Sequence, residues 1–217
     1  MRKPFPIWHY LLIVGVCLVM TTVSFGAQEK FGVKAGISVA TQQSHFPQNW
    51  FGRTEVSERS GIAVAGVYEV LLGSSVWLRL EPMYVQKGAK VDWEGGAGAE
   101  IDLDHTHEMD YLVVPANLKV VVSHSRTSPF VFAGPYFGYV LSERVDWKAG
   151  QKVADVDQKE VDFGLEFGAG ADVRLNGEWF LTVDARYSLG LLDISELDES
   201  SYKNRGVTFL AGVLLLW

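Results

Sequence analysis

The chain has 217 residues, a formal net charge of −7 and 48% hydrophobic residues. That length suits one domain rather than two, and the acidic balance argues against nucleic acid, since phosphate binding needs the opposite sign. Beyond the N-terminus no apolar run reaches the roughly 18 residues that a membrane-crossing helix needs, whereas 22 Gly with 7 Trp, 8 Tyr and 12 Phe fit a turn-rich β protein.

Residues 1–26 read as a cleavable secretory signal. Arg2 and Lys3 form its basic start, Ile7 to Met20 its apolar stretch, and Ser24 and Gly26 place small residues before a cut at Ala27. Cleavage leaves residues 27–217 as the mature domain and takes the charge from −7 to −9. It also removes Cys17, the one cysteine, so neither disulfides nor thiol chemistry remains.

From Lys30 onward, apolar residues recur at every second position between polar or Gly-rich breaks, the pattern of a β-meander. A first strand over residues 30–41 sets Phe31, Val33, Ala35, Ile37 and Val39 opposite Lys34 and Ser38. A second over 60–72 sets Ile62, Val64, Tyr68 and Val70 opposite Glu69. After a turn at Gly73, a third runs unbroken over 76–91, with Trp77, Arg79, Glu81, Met83 and Lys87 on one face. The fourth, 107–122, opposes Tyr111, Asn117 and Lys119 to Leu112, Val114 and Leu118. The fifth, 129–142, alternates least clearly, with Phe130 and Phe132 opposite Val131, Phe137 and Tyr139.

The last three strands are the most regular. Phe163, Leu165, Phe167, Ala169 and Ala171 alternate with Asp162, Gly164, Glu166, Gly168, Gly170, Asp172 and Arg174. Asn176 and Gly177 form a two-residue hairpin signal, and Trp179 to Leu189 then alternate with Thr182, Asp184, Arg186 and Ser188. Val207 to Trp217 close the series. Long breaks at 42–59, 92–106, 143–160 and 192–204 alternate with short turns. The predicted fold is an all-β, eight-stranded antiparallel up-and-down transmembrane barrel, long loops outside and both termini periplasmic.

Face polarity separates a membrane barrel from a soluble one. Lys34, Glu69, Arg79, Glu81, Lys87, Lys119, Glu166, Asp172, Arg174, Asp184 and Arg186 share one face at mid-strand positions. Turned inward, charges of both signs form a paired lumen network, and the apolar face meets lipid. Tyr84, Tyr139, Trp179, Tyr187 and Trp217 then fall near strand ends, where aromatic girdles belong. Trp217, ending the last alternating strand, is the expected C-terminal signal for barrel assembly.

Three segments carry a resemblance. Tyr111, Leu112, Pro115, Leu118 and Lys119 fit a Y-L-x-x-P-x-x-L-K strand; the others run from Pro129 to Tyr139 and from Arg186 to Ile194. With them the chain resembles the PorT-like outer-membrane β-barrel family over essentially its whole mature length. The resemblance implies a Gram-negative outer-membrane barrel, in a family of which some members serve protein secretion.

The chemistry offered elsewhere is thin. His105 and His107 share a strand face and are the candidate metal ligands, but the pair lacks third and fourth ligands. Asp184, Arg186 and Ser188 fall in one lumen column, and His124 and Ser125 sit in a short turn without an acidic partner. Gly164, Gly168 and Gly170 lack the following helix that a phosphate loop needs. No cofactor, catalytic residue or enzymatic activity is expected. The expected role is structural or interactive, through the extracellular loops, with a small channel or a secretion-complex subunit as the alternative. Expected partners are outer-membrane lipid and lipopolysaccharide, the barrel-assembly machinery, and a protein or surface ligand at the loops.

Overall fold

The computed structural model describes residues 28–45, 53–94, 105–147, 161–191 and 201–217. The N-terminal segment read as a signal lies outside them, as do parts of each long loop. The strands are β1 Glu29–His45, β2 Arg53–Leu71, β3 Val76–Leu80, β4 Met83–Glu94, β5 His105–Val121, β6 Thr127–Trp147, β7 Val161–Asn176, β8 Trp179–Gly190 and β9 Ser201–Leu216. All pair antiparallel, and β1 pairs with both β2 and β9, so the sheet closes into a barrel. Closure leaves no unpaired edge.

Nine segments make eight barrel strands because β3 and β4 lie in line. Leu80 and Met83 oppose Tyr68 and Ala65 on β2, and Ala116 and Val113 on β5, without a change of register. The expected unbroken third strand is therefore interrupted at Glu81 and Pro82. Neither Pro82 nor Pro115 has an N–H, so the ladder loses donors there. What remains is Glu81 N–H donating to Pro115 O at 3.3 Å and Gly66 N–H to Pro82 O at 3.0 Å.

The strands also run further than the apolar alternation indicated. β2 begins at Arg53, with Arg53 opposite Glu94 and Glu55 opposite Asp92. β6 continues to Trp147, with Arg144 opposite Glu108, and β9 begins at Ser201, opposite His45. Backbone pairing needs no apolar side chain, so polar ladders extend where periodicity gives no sign. Strands of 16 to 21 residues, such as β7 and β6, exceed the roughly 9–11 that cross a bilayer, and the excess lies at the loop end.

The other end is joined by short connections. Gly177, at φ 46°, makes the β7–β8 hairpin, in the left-handed region that glycine tolerates best. Leu71 N–H donates to Gln28 O, Val121 N–H to Ser75 O, Arg174 N–H to Arg126 O and Leu216 N–H to Glu178 O, all at 2.8–2.9 Å. Trp217 N–H joins Glu29 O at 2.8 Å, bringing the two chain ends of the barrel together.

Outward positions carry Val33, Ile37, Ile62, Leu118, Val131, Phe167 and Phe209, all exposed. Trp179 and Trp217 are exposed at the turn end, while Tyr84 and Tyr139 flank Leu112 in one row nearer the loop end. The inward face is less uniformly polar than the sequence suggests. Toward the loop end it holds Met83, Val85, Met109, Tyr111, Val113, Tyr136 and Leu210. Toward the turn end it holds Trp77, Val121, Phe130 and Phe132, with Val67, Phe180 and Leu214. Charged side chains fill the space between.

Candidate functional site: the charged lumen

Period-two geometry delivers the charges. Inward positions bring Lys30 and Lys34 from β1, Glu69 from β2, Arg79 from β3, and Glu81 from the proline break. Lys119 comes from β5, Asp162, Glu166 and Asp172 from β7, and Asp184 and Arg186 from β8. Every one of these residues is buried.

The charges form two groups. In the first, Arg79 Nε donates to Glu69 Oε1 at 2.6 Å, and Lys119 Nζ lies 2.9 Å from Glu69 Oε1 and 2.7 Å from Asp172 Oδ2. Lys30 Nζ joins at 3.1 Å from Asp172 and 3.8 Å from Glu69. In the second, Arg186 reaches Asp184 Oδ1 at 2.7 Å, Glu81 Oε2 at 3.0 Å and Glu166 Oε1 at 3.1 Å. Lys34 pairs with Glu81 and lies 2.5 Å from Asp184, and Asn117 Nδ2 donates to Glu166 at 2.9 Å. Arg79, 4.0 Å from Glu81 and 3.9 Å from Asp184, links the groups.

Together they hold five cations (Lys30, Lys34, Arg79, Lys119, Arg186) and five carboxylates (Glu69, Glu81, Glu166, Asp172, Asp184). Such neutrality matters because an unpaired buried charge is strongly destabilising. Aromatic rings support the cations from below. Lys119 Nζ lies 4.2 Å from the Phe130 ring centre, and the Arg79 guanidinium carbon 4.7 Å from the same ring. Arg186 stands 5.2 Å over Phe132. A contact of this kind contributes up to about 2 kcal/mol when desolvated.

Of the eleven charged residues expected on the inward face, nine meet in these two groups, and Lys87 and Arg174 lie outside them. Arg174 stands exposed at the turn-end mouth, where β7 leaves the barrel, its guanidinium 5.1 Å over Phe180. Lys30 is the inward charge that the alternation does not single out, although it lies four residues before Lys34 on the same strand face; Asp162, read on the inward face of its strand, is not among the charges expected to pair. Asp162 lies 3.9 Å from Lys87, and the Tyr136 hydroxyl donates to it at 3.2 Å.

The arrangement offers little to a substrate. Asp184 is committed to Lys34 and Arg186, and the Ser188 hydroxyl lies 3.5 Å from Glu166, so the Asp184–Arg186–Ser188 column is a structural ladder. His105 and His107 open β5, opposite Val91 and Ala89; their side chains lie outside the described residues. Among the described residues no group of three His, Cys, Asp or Glu is placed to hold a metal ion.

Residues 25–196 match the family model described as "Outer membrane protein beta-barrel domain". Among solved structures the chain is similar to the outer membrane protein OprG from Pseudomonas aeruginosa. Identity is 13%, the TM-score 0.58, and the match covers 87% of this chain and 95% of that one. It is also similar to Neisserial surface protein A, with 14% identity, a TM-score of 0.50 and coverage of 85% and 96%. At these identities the likeness is one of fold. No curated protein matches the chain in sequence.

Proposed function

This chain belongs to the outer membrane protein β-barrel domain family, and we propose that it serves there as a non-conducting barrel whose partners engage its loops. The observation that carries this reading is the neutral ten-charge plug. Lys34, Glu81, Arg79, Glu69 and Arg186 have fully buried side chains; Glu81 ties Lys34 of β1 and Arg186 of β8 across the lumen, between strands that are not neighbours, while Arg79 and Glu69 pair between the adjacent β3 and β2. Opening a water path would separate several of these pairs at once, each a loss of a few kcal/mol.

In this reading the N-terminal segment is removed at Ala27, the short turns and both termini face the periplasm, and the loops face outward. Outer-membrane lipid and lipopolysaccharide surround the apolar face, and the assembly machinery reads Trp217, which is 82% exposed at the end of β9. The motif-bearing segments on β5, β6 and β8 support a PorT-like placement within the family. The transport alternative, a small channel or a secretion subunit, requires the plug to move. Planar-bilayer recording on the purified protein tests the proposal: no unit conductance is expected, and steady ohmic steps would overturn it.

A further inference from the structure

The turn-end mouth of the barrel is a cavity of about 500 Å³, within the usual range for small-ligand sites. Its floor is the Lys30–Asp172 pair, at 3.1 Å. Its walls are Trp77 and Phe180, each ring centre 4.5 Å from Lys30 Nζ. At its rim stand Arg126, in the turn before β6, and Arg174. Arg174 N–H donates to Arg126 O at 2.8 Å, which sets the two residues side by side. Among the described residues neither guanidinium has a carboxylate partner.

Two arginines that line one cavity, neither paired with a carboxylate among the described residues, suit a carboxylate ligand, which accepts bidentate pairs from Arg. The aromatic walls call for an apolar body next to it. We propose that this mouth binds a carboxylate that carries an apolar side group, the chemistry of an N-acyl apolar amino acid or of a peptide C-terminus. Arg126 and Arg174 take the carboxylate, and Trp77 and Phe180 the apolar group. The site borders the plug at the Lys30–Asp172 pair, and its ligand-binding arginines and rings lie on the turn side of that pair.

The test is calorimetric titration of the purified protein in detergent micelles. The probes are N-acetyl-phenylalanine, its neutral C-terminal amide, and a hexapeptide ending in Phe with a free carboxylate. Saturable binding of the acid is expected, at least tenfold weaker for the neutral amide and for the R126Q/R174Q double variant. Both substitutions lie at the exposed rim, and unchanged far-UV circular dichroism verifies the variant's fold. A hexapeptide that binds more tightly than the acid assigns the site to a protein terminus; equal affinity assigns it to a free small molecule. No saturable binding of acid or peptide, or binding indifferent to the amide and to the double variant, would overturn the proposal.

Discussion

Phe132 and Gly168 face each other across the β6–β7 ladder, and a Cβ on Gly168 would lie 2.5 Å from the Phe132 ring. The relationship repeats along the same two strands. Phe130 opposes Gly170, at 2.6 Å, and Tyr136 opposes Gly164, at 2.6 Å. Three aromatic rings thus enter a narrow lumen because three glycines on the next strand yield the space. Gly168→Ala should therefore destabilise the refolded barrel by about 1–3 kcal/mol, the usual range for overpacking. The same Cβ also meets Ala185 O, at 2.4 Å, so adding Phe132→Ala should restore only part of the loss. Urea unfolding in lipid vesicles measures both.

The plug predicts a contrast between two arginines. Arg186 holds Glu81, Asp184 and Glu166, so Arg186→Met leaves buried carboxylates short of a cation. The loss expected on breaking a buried pair is about 3–5 kcal/mol. Arg174 lies outside the plug at the mouth, and Arg174→Met should change stability by no more than about 0.5 kcal/mol. Equal effects of the two substitutions in the same unfolding assay would contradict the assignment of the plug to Arg186 and its partners.

The proposed orientation has its own test. Protease added to intact cells should cut within residues 92–106 and 143–160 and spare the connections at Gly73 and Gly177. Cleavage confined to those two turns would invert the barrel.

The strands were legible wherever one face had to be apolar, because lipid imposes an unbroken alternation. On β7 and β8 it gave Glu166, Asp172, Asp184 and Arg186 their places without a structure. Where strands leave the apolar band, as in Arg53–Arg59 of β2, pairing rests on backbone hydrogen bonds, and the side chains carry no trace of it. The interruption at Pro82 was hidden for a different reason. A single proline is tolerated in a strand, and only its neighbour across the ladder, Pro115, removes a second donor. The apolar inward positions Val85, Val113 and Leu210 were also obscured, since burial in a lumen and exposure to lipid select the same residue types. Lys30 needed only stricter use of parity.

Which face of the barrel meets lipid decides every assignment above, and one pair of substitutions on β7 addresses it directly. Ala169 is exposed on the outer face of β7, opposite Val131 and Ala185, whereas Asp172 on the same strand is 1% exposed and faces Lys119 at 2.7 Å. Each variant is refolded into lipid vesicles and unfolded in denaturant. Ala169→Arg should lower stability by about 2–4 kcal/mol if the position lies at the bilayer midplane. Asp172→Asn, with Glu69 still available to Lys119 and Lys30, should loosen the lumen and still insert. A neutral Ala169→Arg together with an Asp172→Asn variant that fails to fold would mean that the barrel is inside out relative to this account.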